Sequence, residues 1–122
     1  MFIFLLSSSL LMPTDQGLED ISRAIKSGDA AALAQHFDKD VEVTILDEVN
    51  IFSKSEAKSA VNTFFSSHKP KSYSQVHEGR SKGEGGQYII GNLATDAGKF
   101  RVYLYMRVEN NKHFIQELRF EK

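Results

Sequence analysis

No cysteine and no tryptophan occur in this 122-residue chain, and proline is found only twice. Neither sign of charge prevails, since 15 Lys and Arg stand against 16 Asp and Glu, beside four His. Without cysteine there is no disulfide, no thiolate metal site, no cysteine nucleophile and no lipid-modified cysteine. A formal net charge of -1 lacks the excess of Lys and Arg with which proteins neutralise nucleic-acid phosphates, so nucleic acid is set aside as a partner. The longest apolar run, Met1 to Met12, is shorter than the about 20 residues of a membrane-crossing helix, which excludes a stable membrane span. What the chain does have is aromatic bulk, nine Phe and four Tyr. A domain of this size buries roughly two thirds of its unfolded surface, enough for one core without covalent staples.

The run MFIFLLSSSLLM is uncharged and is closed by Pro13, after which Asp15 opens a mixed-charge sequence. Its length suits the apolar part of a secretory signal, with Ser7 and Ser9 as the small residues near a cleavage point, although no Lys or Arg precedes it. Residues 1–13 are therefore read as a signal peptide or its remnant, residues 14–122 as a single domain, and the address as secreted or periplasmic.

A helix follows Asp15, with Leu18, Ile21 and Ile25 on one face and Glu19, Asp20, Arg23 and Lys26 off it; Gly28 ends it. Asp29 caps a second, short helix from Ala30 to His36, with Leu33 and Phe37 pointing the same way. Asp40 to Leu46 alternates as a half-buried strand, and a turn over Asp47 to Asn50 leads to a return at Ile51 and Phe52. Ser53 and Glu56 form a capping box before Ala57, Ala60, Val61, Phe64 and Phe65, whose spacing marks the clearest helix, stopping near His68 before Pro70. Beyond it lie four strands, over 71–80, 87–94, 100–108 and 113–121, with a glycine-rich loop from Ser81 to Gly86.

The last hairpin permits a register argument. A loop of Asn110 and Asn111 alone would set Val108 against His113, Leu104 against Glu117 and Val102 against Arg119, mixing charge into an apolar row. A loop of Asn110, Asn111 and Lys112 pairs Val108 with Phe114, Met106 with Gln116, Leu104 with Leu118 and Val102 with Phe120. That face is apolar except for Gln116, while the other carries Arg107 with Ile115, Tyr105 with Glu117, Tyr103 with Arg119 and Arg101 with Glu121.

The order helix, Gly-Asp corner, short helix, strand, capped helix and four strands resembles the nuclear transport factor 2-like superfamily, with its cystatin-like fold. The resemblance is carried by Ala24 to Asp29 with Leu33 and Phe37, by the Ser53-capped helix ending in Phe64 and Phe65, and by Ile115 to Phe120. His77-Glu78-Gly79, Ile90-Gly91-Asn92-Leu93 and Phe100-Arg101-Val102-Tyr103 look like a family of small secreted bacterial domains of unknown function within it. It implies an α+β cone, about three N-terminal helices on a curved, mainly antiparallel sheet. Enzymes of this superfamily keep an acid or base and a hydrogen-bonding Tyr or Asp inside the cone, and the outer sheet face commonly makes a homodimer.

The inward row offers only Gln116, a neutral amide that accepts no substrate proton at ordinary pH. The favoured reading is therefore a non-enzymatic, secreted domain with an apolar pocket between the capped helix and the sheet, lined by Phe64, Phe65, Met106 and Gln116. Such a pocket suits a small apolar ligand needing one hydrogen bond. Arg101, Tyr103, Tyr105 and Arg107 form the candidate dimer face, because Tyr and Arg combine large contact area with a polar end. A rival reading is an isomerase, dehydratase or hydrolase using His77, on the side of Tyr73 and Gln75, with Tyr73 or Tyr88 as its partner. A third is a purely structural dimer. The four His fall on separate elements without metal-ligand spacing, so neither a metal nor a cofactor is expected. The glycine-rich loop joins two strands rather than opening a helix and carries Glu84, which argues against a phosphate cradle.

Overall fold

The computed structural model describes residues 16–80 and 85–122; the signal-peptide reading of residues 1–13 and most of the glycine-rich loop lie outside them. Helix α1 (Gln16–Ser27) and the short α2 (Ala30–Ala34) meet at a corner where Gly28 adopts φ 67° and the Asp29 side chain accepts the Ala32 N–H. Strand β1 (Phe37–Ile45) and strand β2 (Glu48–Ser53) form a hairpin, and α3 (Lys54–Ser67) follows directly. Its capping box is complete, with Ser53 Oγ accepting the Glu56 N–H and the Glu56 carboxylate accepting the Ser53 N–H. Four long strands complete the chain: β3 (Pro70–Arg80), β4 (Gly86–Thr95), β5 (Gly98–Glu109) and β6 (Lys112–Glu121).

These strands make one six-stranded sheet in the order β2-β1-β6-β5-β4-β3, antiparallel except for the parallel β1–β6 pair. The helices cover one face, which we call inner. Ile21 and Ile25 of α1, Leu33 of α2, and Val61, Phe64 and Phe65 of α3 bury themselves against Val41, Val43, Ile89, Leu93, Leu104, Leu118 and Phe120. Phe64 stacks on Phe120 with ring centroids 4.2 Å apart and meets Phe100 edge-on at 5.3 Å, so the expected space beneath α3 is largely filled by aromatic rings.

Three expectations are corrected. Phe37 does not extend the α2 face but opens β1, opposite Ile115. The β1–β2 turn is Leu46-Asp47, with Leu46 at φ 58°, so Glu48 to Asn50 are already strand. In the last hairpin both rejected and preferred registers occur, one after the other. Asn110 and Asn111, at φ 51° and 62°, make a two-residue turn that pairs Val108 with His113 and Met106 with Ile115. Gln116 then stands outside the ladder as a bulge, and from Tyr105–Glu117 onward the pairing is Leu104–Leu118 and Val102–Phe120. Ile115 therefore faces the core, fully buried, while Phe114 turns outward beneath the Arg107 guanidinium, 4.4 Å from its ring centre.

A second shift, at Val76, turns His77 to the outer face while Tyr73 and Gln75 stay on the inner one, as their partners Ile90, Leu93 and Gly91 show. Two tyrosines lie across glycines of the neighbouring strand: Tyr73 over Gly91 on the inner face and Tyr88 over Gly79 on the outer. Neither glycine has positive φ, so only the ring forbids a Cβ. Tyr73 packs against the core, whereas the Tyr88 ring lies on the outer face, held by its contacts with His77 and Tyr103 and not by the core. Gly91→Ala is expected to cost about 2 kcal/mol, by overpacking, and Gly79→Ala less than about 1 kcal/mol. Urea unfolding of the two variants checks this, and equal losses would refute the assignment.

Candidate functional site: a cleft beside helix α3

The inner side chains of the β1–β2 hairpin alternate as Val41 with Phe52, Val43 with Asn50 and Ile45 with Glu48. They face the last two turns of α3, where the small Ala60 leaves a gap. The result is a cleft of ≈ 340 Å³ between Val43, Ile45 and Phe52 on one side and Ala60, Phe64 and His68 on the other, with Glu48, Asn50, Thr63 and Ser67 also on its wall. Its volume lies at the lower end for small-molecule sites, and its wall is mainly apolar.

His68 ends α3. Its backbone N–H donates to the Phe64 carbonyl at 2.8 Å, and its Nδ1 lies 3.0 Å from the same oxygen. A carbonyl has no hydrogen to give, so Nδ1 carries a proton and donates, which in the neutral form of the ring puts the lone pair on Nε2. The imidazole is held flat on Phe64, at 4.4 Å and 11°, and edge-on to Phe100 at 5.2 Å. It thus presents a fixed hydrogen-bond acceptor beside an apolar wall.

Of the residues expected to line a pocket, Phe64 reaches this cleft, while Phe65 and Met106 are buried in the packed core and are not part of its wall. Gln116 points away. The bulge puts its amide on the outer face, where Nε2 donates to Asp38 Oδ2 at 3.0 Å. Burial raises the Asp38 carboxyl, but hydrogen bonds from Gln116, the Lys39 N–H and Arg107, with the charge of Arg107 at 3.5 Å, outweigh it and hold the group below the usual carboxylate range.

His77 is exposed on the outer face, its Nε2 3.1 Å from the Tyr88 hydroxyl, and the structure does not bring it to the inner cleft. Tyr73 is on the opposite face, its buried hydroxyl without a hydrogen-bond partner among the described residues and its pKa pushed up by burial to about 12. The geometry that the His77–Tyr73 reading needs is therefore not present. Tyr103 and Tyr105 share the outer face with Tyr88, which stacks on Tyr103 at 6.4 Å. Arg107 is paired with Asp38 and Glu109, and Arg119 with Glu117 and Glu121. Arg101 sits at the far end of the row, beside Asn92 and Glu121.

Sequence reasoning passed over His68 as a helix-end histidine and Asn50 as a turn residue. It also missed a polar chain on the inner face: Gln87 Nε2 donates to Glu78 at 2.7 Å, which leaves the Gln87 carbonyl oxygen to accept from His113 Nε2 at 3.2 Å. Burial, reinforced by the charges of His113 and Lys54 and opposed by Asp20, lowers the His36 pKa. Among the described residues no cluster of His, Asp or Glu could hold a metal ion, and no helix is long and apolar enough to cross a membrane.

Residues 18–121 match the family described as "Domain of unknown function (DUF4783)". The chain belongs to the DUF4783 family. It is 30% identical to the solved DUF4783 protein of Bacteroides uniformis, with TM-score 0.79, covering 85% of this chain and 94% of that one. The DUF4783 protein of Bacteroides ovatus is 25% identical, with TM-score 0.79 and coverage of 84% and 92%. An NTF2 variant, 14% identical with TM-score 0.63 and coverage of 84% and 90%, shares the fold alone. The DUF4783 domain here thus has the expected α+β, nuclear transport factor 2-like architecture, with three helices among the described residues on a six-stranded sheet. No curated protein matches the chain.

Because Gln116 acts on a carboxylate held below its ordinary pKa, the benefit is present above the usual carboxylate range and fades as pH falls through the lowered native value. Gln116→Leu is expected to lose about 1 kcal/mol at pH 7 and clearly less in acid. Urea titrations at both pH values test this; an undiminished gap in acid would show that the amide does not act through Asp38.

Proposed function

We propose that this chain is a secreted, non-enzymatic binding domain whose cleft beside α3 takes a small, mainly apolar molecule carrying one hydrogen-bond donor. The observation that carries the reading is His68, an acceptor of fixed tautomer held against Phe64 on an otherwise largely apolar wall. The role first given to the amide of Gln116 passes to this imidazole. A planar alcohol lying along Val43 and Phe64, its O–H directed to Nε2, satisfies both parts of the site.

The probe is 2-naphthol, followed by its fluorescence. Saturable binding is expected with Kd on the order of 100 μM, the range of ligand efficiencies for so few atoms. Replacing the hydroxyl by methoxy should weaken it about fivefold, one neutral hydrogen bond. Ala60→Phe should abolish it by filling the gap. No saturation at millimolar concentration, or binding indifferent to Ala60→Phe, would sink the proposal. Export rests on the apolar run before Pro13, and its test is fractionation of a bacterial host expressing the whole chain: retention in the cytoplasm would refute it.

A second reading, homodimerisation through the outer face, is supported by the stacked Tyr88 and Tyr103 with Tyr105 beside them, and by Ile51, 76% exposed at the sheet edge. Light scattering across a dilution series should report a dimer that Tyr103→Lys with Tyr105→Lys dissociates. A monomer at every concentration would end this reading.

A further inference from the structure

The outer face changes character along its strands. Near the β5–β6 turn it carries Tyr88, Tyr105 and Phe114, but at the opposite end the central positions are small: Ser72 and Ser74 of β3, Asn92 and Ala94 of β4. Register sets these in two rows, Ser72–Ala94–Lys99 and Ser74–Asn92–Arg101–Glu121. Short side chains in the middle and long ones at the border leave a basin of ≈ 730 Å³, bounded by Lys99, Arg101, Glu121 and Lys122.

The charges of this basin are not balanced within it. Of the three outer-face arginines, Arg107 meets Asp38 and Glu109, and Arg119 meets Glu117 and Glu121. Arg101 has no carboxylate partner among the described residues, although Glu121 is its cross-strand neighbour, because that carboxylate lies 3.9 Å from Arg119 Nη1. Lys99 adds a second charge on this face, while the Lys122 Nζ lies 5.9 Å from the centre of the inner-facing Phe100 ring, at the end of the sheet. Two cations, Lys99 and Arg101, against the single side-chain carboxylate of Glu121, which also lies near Arg119, make the outer side of this hollow electropositive in a chain whose net charge is -1. The guanidinium fork matches two oxygens of a carboxylate or phosphate, and the hydroxyls of Ser72 and Ser74 with the amide of Asn92 offer both donors and acceptors to neutral hydroxyl groups.

We infer that this basin is a binding site for a polyhydroxylated small molecule bearing an oxyanion, a sugar phosphate or a sugar acid, with Arg101 clamping the oxyanion and Ser72, Ser74 and Asn92 meeting the hydroxyls. The site is separate from the cleft beside α3. Its volume exceeds what an oxyanion alone would fill, which is why a polyhydroxylated body is assigned to it.

The experiment is an isothermal titration of the whole chain with glucose 6-phosphate, glucuronate, inorganic phosphate and glucose at low ionic strength. Either or both of the first two ligands should saturate in the millimolar range or tighter, at least tenfold more tightly than inorganic phosphate, with glucose showing no binding. Which of them is tighter decides between phosphate and carboxylate. Arg101→Gln should weaken binding at least tenfold, and Asn92→Ala should reduce the advantage over inorganic phosphate, whereas Arg107→Gln, at the opposite end of the same face, should change affinity less than threefold. All three side chains are at the surface, and unchanged thermal melts establish that the variants fold. Binding untouched by Arg101→Gln, or weakened equally by Arg107→Gln, would overturn the site as diffuse attraction. Inorganic phosphate binding as tightly as both sugar derivatives would overturn the sugar assignment.

Discussion

The inner face of the sheet must carry an unbroken apolar core from β1 to β4, and the chain meets this demand by letting one residue leave the ladder where the side-chain alternation would otherwise fall out of step. In β6 the buried residues are His113 and Ile115, then Leu118 and Phe120, a spacing that changes parity at the centre of the strand. A regular strand would turn one of those pairs to the outside. The bulge at Gln116 absorbs the odd residue, so that a tight Asn110-Asn111 turn and a continuous core coexist. The displaced amide then reaches Asp38 on β1, where Arg107 of β5 also arrives, tying three adjacent strands at one carboxylate. The shift at Val76 acts similarly in β3, keeping Tyr73 against the core while sending His77 outward.

These shifts divide the molecule functionally. The inner face is largely closed by the contacts among Phe64, Phe65, Phe100 and Phe120, and an opening remains where α3 faces the β1–β2 hairpin. The outer face holds the aromatic row and, at its other end, the basin around Arg101. A histidine on each side illustrates how position decides chemistry. His77 meets a tyrosine hydroxyl in water, whereas His68 has one nitrogen tied to a carbonyl and its ring pressed on Phe64, which leaves a directed acceptor.

Much of this was legible. The capping box at Ser53, the Gly28-Asp29 corner and the apolar faces of α1 and α3 are local patterns, read from spacings of three and four residues. The lower half of the β5–β6 register was legible as well, because opposite charges and apolar pairs align only one way from Arg101 to Tyr105. The β1–β2 turn was not, since leucine at positive φ carries none of the usual turn chemistry. The orientation of Gln116 and His77 was missed because strict alternation was assumed through strands that each contain an irregularity. The parity change in β6 was the available signal, visible once Ile115 is counted with Leu118 and Phe120.

By itself, the sequence determined the number and kind of most elements, where the helices begin and end, and the α+β class, because caps, periodicity and turn residues act over a few positions. Tertiary structure decided which face Gln116, Phe114 and His77 occupy, that Arg101 goes without a carboxylate partner among the described residues, and that His68 borders an open cleft. Each of these depends on pairing between residues far apart in the chain, above all the parallel contact of β1 with β6, and a local pattern carries no information about which distant strand lies alongside.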